Sequence, residues 1–345
     1  MLENYSTNAT VAKIRSINGS MITSDQLLDL AGKKNVSDVA QILKTNRIYR
    51  DELEGIDITK IHRGYLEQLI EKSCFQLYVK LCKFQQLNRI PFYNYNISKH
   101  EIEQIMSMIN DINSNVTGTF INTLPKFVED NSSIPFIELA KCETFDELVD
   151  VLKHTPYAGI LKSVPLKPNG MIAARQSEQR LYTYYFNTLL KSINKDFSSQ
   201  DAKTLSDYLK KDIDLTNMTN AYRLKTYYKY SSDHIKVRML PFTKIGSPAM
   251  NAIYEASTSE DMLELIGKTP YFSLKKPPDP NMIEHSIDNI KHLLSKRLIA
   301  TSQSAPVVMY AFLNICLFEV ENLTNIIEGI RYQMPQTEIQ KLLII

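Results

Sequence analysis

IPFIELAKCETFDELVDVLKHTPYAGIL, residues 134–161, decides the fold, because it carries two short helical patterns with a helix start between them. Phe136, Leu139 and Ala140 follow one another at three- and four-residue spacing, and Leu148, Val151 and Leu152 do so again. That period puts each set on one face of an amphipathic helix. Thr144 and Glu147 stand three apart just ahead of the second set. In that arrangement each side chain takes the other residue's backbone amide, so the spacing predicts a helix start there. Pro156 then ends the helix, because the residue before a proline is pushed out of the helical region.

The pattern returns twice. SPAMNAIYEASTSEDMLELIGKTPYFSL, residues 247–274, lies 114 positions on; it repeats the apolar faces with Met250 and Ile253, then Met262, Leu265 and Ile266, and the cap with Thr258 and Asp261. Thr155-Pro156-Tyr157 comes back as Thr269-Pro270-Tyr271. SDQLLDLAGKKNVSDVAQILKTNRIY, residues 24–49, lies 109 positions before the middle copy; it supplies Leu27, Leu30 and Ala31, then Val39, Ile42 and Leu43, with Asn35 and Asp38 at the cap. It lacks the proline, and Tyr49 arrives one residue late. A second element also repeats: Asp214-Leu215-Thr216-Asn217 leads to Arg223, and 108 positions later Asn322-Leu323-Thr324-Asn325 leads to Arg331. The first copy shows no equivalent, although IMSMINDINSN occupies about the right place.

Self-similarity at this period is the mark of a duplicated unit. It predicts three helical repeats, 1–112, 113–228 and 229–345, with the first the most diverged. EQRLYTYYFNTLLKSI, MIEHSIDNIKHLLSKRL and FLNICLFEVENLTNIIEGIRYQ read as longer helices. Polar and proline-bearing segments near 113–131, 162–172, 229–248 and 274–281 read as linkers, Lys275-Lys276-Pro277-Pro278-Asp279-Pro280 most clearly. Only 10 glycines occur in 345 residues, which disfavours the tight turns of a strand-rich fold. The expected class is all-α.

Charge and cysteine content narrow the function. Forty basic against 38 acidic residues leave +2, too little for a field that draws nucleic acid or a membrane surface. Cys74, Cys82, Cys142 and Cys316 sit scattered within apolar or amphipathic runs, as buried thiols do. The opening MLENYSTNATVAK has no apolar stretch flanked by basic residues, and nowhere do 18 apolar residues run together. A cytosolic protein without direct membrane insertion is expected.

No catalytic constellation emerges, so catalytic residues, cofactor and metal are all expected to be none. Gly267-Lys268-Thr269 resembles the end of a phosphate loop, but position 262 is Met where the loop needs glycine, and a helix precedes it. Gly267 reads instead as a helix C-cap. Asp212-Ile213-Asp214 lacks a second carboxylate cluster for magnesium and reads as a solvated helix start. His285, Asp288 and His292 share one helix face, opposite Ile283, Ile287 and Ile290, and read as exposed. Of the 19 tyrosines, clusters at Tyr182, Tyr184 and Tyr185 and at Tyr227, Tyr228 and Tyr230 suit helix packing or a protein interface. Arg223 and Arg331, with Asn217 and Asn325 two turns earlier, are candidate structural or partner-contact residues, placed to cap carbonyls or pair with acids.

The chain resembles the C subunits of bacterial and archaeal A/V-type ATPases, the family that includes the eukaryotic V-ATPase d subunit. The resemblance rests on Asn8-Ala9-Thr10-Val11-Ala12-Lys13-Ile14-Arg15, the two Thr-Pro-Tyr units, Asp214 to Lys225, Ser304-Ala305-Pro306 with Tyr310, Glu319 to Leu323, and Glu328-Gly329-Ile330-Arg331. Phe318 departs from it, standing where the family often has lysine. The resemblance implies three pseudo-symmetric helical domains arranged as a funnel. It implies a non-catalytic central-rotor subunit that couples stalk subunits of D and F type to the membrane proteolipid ring. Torque transmission for proton or sodium transport, or for ATP synthesis, would then be its task, at the cytoplasmic face of the membrane and with no nucleic-acid partner. The competing reading from the residues is a helical-repeat adaptor unrelated to rotary ATPases.

Overall fold

The computed structural model describes residues 2–84, 91–116, 126–272 and 278–345, and among these there are helices and turns but no strand. The helices are α1 (Leu2–Asn18), α2 (Ser24–Leu30), α3 (Val36–Thr45), α4 (Arg50–Leu53), α5 (Arg63–Phe84), α6 (Tyr95–Ser114), α7 (Lys126–Asn131), α8 (Phe136–Leu139) and α9 (Phe145–Val151). They continue with α10 (Pro156–Lys162), α11 (Ala174–Asp196), α12 (Ser199–Thr226), α13 (Ser232–Lys236), α14 (Ser247–Glu255), α15 (Ser259–Gly267), α16 (Ile283–Thr301), α17 (Ala305–Arg331) and α18 (Gln336–Lys341). The all-α expectation therefore holds. Of the expected linkers, residues 117–125 and 274–277 lie outside the described residues.

The chain divides into two compact units, one formed by residues 1–87 and 263–345 and the other by 88–262. The first is built around α17, which packs on α1, α2, α3, α5, α16 and α18. Ser304 starts α17 by accepting from the Val307 amide, and Pro306 follows within its first turn, where a missing N–H costs nothing. Val308, Met309, Ala311, Phe312, Leu323, Ile326 and Ile327 are fully buried. Each large side chain so buried contributes about 1.5–3 kcal/mol. By length and composition α17 is also apolar enough to cross a membrane, as a core helix often is, and most of that stretch is buried inside the protein. Gly329 lets α18 approach: a Cβ there would lie 2.6 Å from Ile339 Cγ1.

The second unit is organised by α11, which packs on α6, α10 and α12, while α12 carries α13 and α14. Phe92 packs edge-on against both Tyr93 and Phe197, with centroids 5.3 and 5.2 Å away.

The capping pairs read from the sequence form as expected. Thr144 and Glu147 exchange bonds at 3.3 and 3.4 Å, Thr258 and Asp261 do so at 3.0 and 3.2 Å, and the Asn35 amide donates to Asp38 at 3.1 Å. Thr45, Thr155 and Thr269 each donate their hydroxyl to the carbonyl three residues back, at 2.7 Å in every case. Pro156 opens α10 rather than ending α9, which stops at Val151: Thr155 is extended and caps α10. All four cysteines are buried and free.

Three expectations are corrected. Asp214 is not at a solvated helix start but mid-way along α12 and fully buried, where its Oδ2 accepts from the Lys244 and Ile245 amides at 2.9 and 3.0 Å. His292 is buried edge-on against Phe318 at 5.5 Å, so the histidine face of α16 is not exposed; α17 covers it. Gly267 is the last residue of α15 and is absent from the left-handed glycines, which are Gly55, Gly170 and Gly246 among the described residues.

Candidate functional site

An asparagine amide carries a donor and an acceptor side by side, so it can close a two-bond ring with one peptide unit. The chain uses this device three times among the described residues. Asn113 on α6 donates to the Ile172 carbonyl at 3.0 Å and accepts from the Ile172 amide at 2.9 Å. Asn217 on α12 does the same with Leu240, at 3.0 Å both ways. Asn322 on α17 does it with Ile344, at 2.8 Å both ways. Each clamp ties a long helix to the main chain that returns over it.

Asn113 lies in IMSMINDINSN, and its four residues Asn110-Asp111-Ile112-Asn113 share only the terminal Asn or Asp positions with 214–217 and 322–325. Asn113 and Asn217 are the last residue of their four, Asn322 the first. Asn325, the residue that the sequence pattern singles out, is half-buried, and Asn322 makes the clamp instead.

The same three helices end alike. Asn115, Lys229 and Gln333 are the only non-glycine residues with left-handed backbone among those described, at φ 53°, 53° and 54°. After each, the next amide reaches back five or six residues: Val116 to Asp111 at 2.9 Å, Tyr230 to Leu224 at 3.1 Å and Met334 to Gly329 at 2.9 Å. Such a bond satisfies a carbonyl that a helix end leaves open.

The candidate arginines lie on the surface. Arg223 is exposed in the last turn of α12, while Asn217 beneath it turns to Leu240. Arg331 is exposed at the end of α17, 3.6 Å from Glu328 and stacked on Tyr332 at 4.8 Å. Glu328 also pairs with Arg63 of α5. Carbonyl capping falls to a third arginine: Arg15 of α1 donates to Ile299, Ala300 and Ser302 at 2.9, 3.2 and 2.7 Å, closing the end of α16.

Besides Asp214, two buried carboxylates are each held by a tyrosine. Tyr49 donates to Glu319 at 2.5 Å, and the Ile22 amide donates to its other oxygen at 2.8 Å. Burial raises the Glu319 carboxyl to about 7 against the opposing pull of these two bonds. Burial also holds the Tyr49 hydroxyl well above its ordinary range, so Tyr49 stays a donor. In the second unit Tyr157 donates to Glu101 at 2.6 Å, and so does Ser132.

Tyr228 and Tyr230 carry Arg175 and Arg238 on their faces, each at 4.9 Å, and Tyr227 is exposed. No group of three metal-ligating side chains occurs among the described residues. The geometry is one of fixed joints: capped helices, clamped returns and buried acid–tyrosine pairs.

The sequence matches the family model of the ATP synthase (C/AC39) subunit over residues 10–342. It is 19% identical to the C subunit of the A-type ATP synthase from Methanosphaera stadtmanae, across 100% of this chain and 89% of that protein. The C subunits of the A-type ATP synthases from Methanosarcina mazei and Methanosarcina acetivorans are 32% and 30% identical over 103 residues, 30% of this chain and 27% of each relative.

Proposed function

The chain belongs to the ATP synthase (C/AC39) subunit family, and from that premise we propose that it is a non-catalytic central-rotor part of a V/A-type ATPase. In this reading it joins the central stalk to the membrane proteolipid ring at the cytoplasmic face and passes torque between ATP chemistry and ion movement. The observation that carries it is the family match, which runs from α1 to the end of α18 and takes in all three clamped helices. A torque-bearing connector must resist shear along its helices. Caps and two-bond clamps do this at fixed points without a reactive group. Arg223 and Arg331, exposed in the last turns of α12 and α17, are proposed as contacts to neighbouring subunits.

Purification of the intact complex through a tag on this chain tests the assignment. Stalk and proteolipid subunits should come with it in fixed ratio; their absence from the purified material refutes it. Removing the chain should leave ATP hydrolysis by the catalytic head while ending ATP-driven ion transport. Ion transport that persists without it counts against the coupling role.

A further inference from the structure

The second unit holds a cavity of about 160 Å³ whose wall includes Tyr95, Tyr157, Tyr184 and Tyr185 and whose one charged residue is Glu101. Glu101, Tyr95, Tyr157 and Tyr185 are buried, whereas Ser133 and Thr188 are exposed and mark the mouth. Ser132 and Tyr157 each donate to one Glu101 oxygen, at 2.6 Å. A carboxylate oxygen accepts at two positions, so each keeps one acceptor site. No lysine, arginine or histidine lines the cavity among the described residues. The residues just before Glu101 in sequence, Lys99 and His100, stand 3.9 and 3.1 Å from Glu103.

A carboxylate buried without a counter-cation is costly, and proteins ordinarily pair such a charge. Here the space beside it is open and aromatic. Aromatic rings attract a cation through their negative faces, and cages of this kind take alkylated ammonium groups. Calcium and magnesium demand about six or more oxygen ligands, which one carboxylate among aromatic rings does not supply. The cavity is smaller than the roughly 300–1,000 Å³ of drug-sized sites, so it suits a small ligand or one side chain. An anion would meet Glu101 with no positive partner.

We propose that this cavity binds a small organic ammonium ion, with Glu101 as its counter-charge and the four tyrosines as its wall. The inference goes beyond the rotor reading and is independent of it. The ammonium group has two sources, a free amine or the side chain of a lysine on another protein, and the test separates them.

The full chain is titrated with n-butylammonium, choline and a short lysine-bearing peptide, with n-butanol and potassium chloride as controls, following melting temperature and binding heat. Saturable binding of n-butylammonium or choline but not n-butanol is expected, weakened at least tenfold in Glu101→Gln. Peptide binding as tight as that of the free amines assigns the lysine source; weaker peptide binding assigns the free amine. Thr188→Trp closes the mouth without touching the carboxylate, and it decides the matter should Glu101→Gln fail to fold. Equal response to alcohol and amine overturns the proposal, as does undiminished amine binding in Thr188→Trp.

Discussion

Asn322 and Ile344 hold each other through one side-chain amide and one peptide unit, with both hydrogen bonds 2.8 Å long and buried. Leu343 and Ile344 are each 2% exposed, so this ring fixes an apolar segment as well as its backbone. Leaving a buried donor or acceptor unpaired costs about 1–3 kcal/mol.

Asn322→Ala should therefore destabilise the first unit by about 3 kcal/mol, since it orphans both the amide and the carbonyl of Ile344. Hydrogen exchange checks it locally: the Ile344 amide should lose protection. Asn113→Ala should cost less, because its partner groups are only partly buried. Equal costs for the two substitutions would contradict the burial argument.

Glu319 makes stability depend on pH in an unusual direction. Its folded carboxyl titrates near 7 against an ordinary 4.5, so between those values the native state binds more protons than the unfolded one. Stability is then full below about 4.5 and falls as pH rises to about 7, by on the order of 3 kcal/mol. Denaturant midpoints measured across that window should decline in the wild type, and Glu319→Gln should remove this part of the decline.

Gln333 has a side chain where glycine is cheapest, at φ 54°. A left-handed backbone costs an ordinary residue about 1 kcal/mol, so Gln333→Gly should stabilise the protein by up to that amount. Gln333→Ala should bring no gain. Melting temperatures of the two variants, side by side, give the answer.

Arg15 feeds three carbonyls from one guanidinium. A lysine has a single ammonium and cannot reproduce that fork. Arg15→Lys should fray the end of α16, seen as faster exchange in residues 299–302 with little change elsewhere, at a cost of about 1–2 kcal/mol.

Local rules are legible in the sequence. The capping pairs at Thr144, Thr258 and Asn35 need only a few consecutive residues to be recognised, and each forms its bond. The clamps are half legible. Asn217 stands out because Leu-Thr follows Asp214 and Asn322 alike, yet the clamping Asn113 has Asp-Ile before it. That Asn322 and not Asn325 makes the clamp is illegible for a related reason: one helical turn decides which amide meets the returning chain, and composition cannot set that register. Asp214 and His292 mislead because their covers, residues 244–245 and Phe318, come from segments outside their own helix periodicity. Glu101 and Glu319 give no local signal, since their tyrosines lie 56 and 270 positions away.

The discontinuous first unit sets an order of events during synthesis. Residues 88–262 form one unit that is continuous in sequence, so the contacts within it are available once residue 262 is made. Helices α1 to α5 must wait, because α17, against which α1, α2, α3 and α5 pack, emerges only after that whole stretch. Their apolar faces stay uncovered meanwhile, in a loop whose closure is entropically unfavourable and whose exposed surface invites aggregation. The ribosome thus finishes the inserted unit first and leaves the earliest-made helices in need of protection until the final core helix arrives.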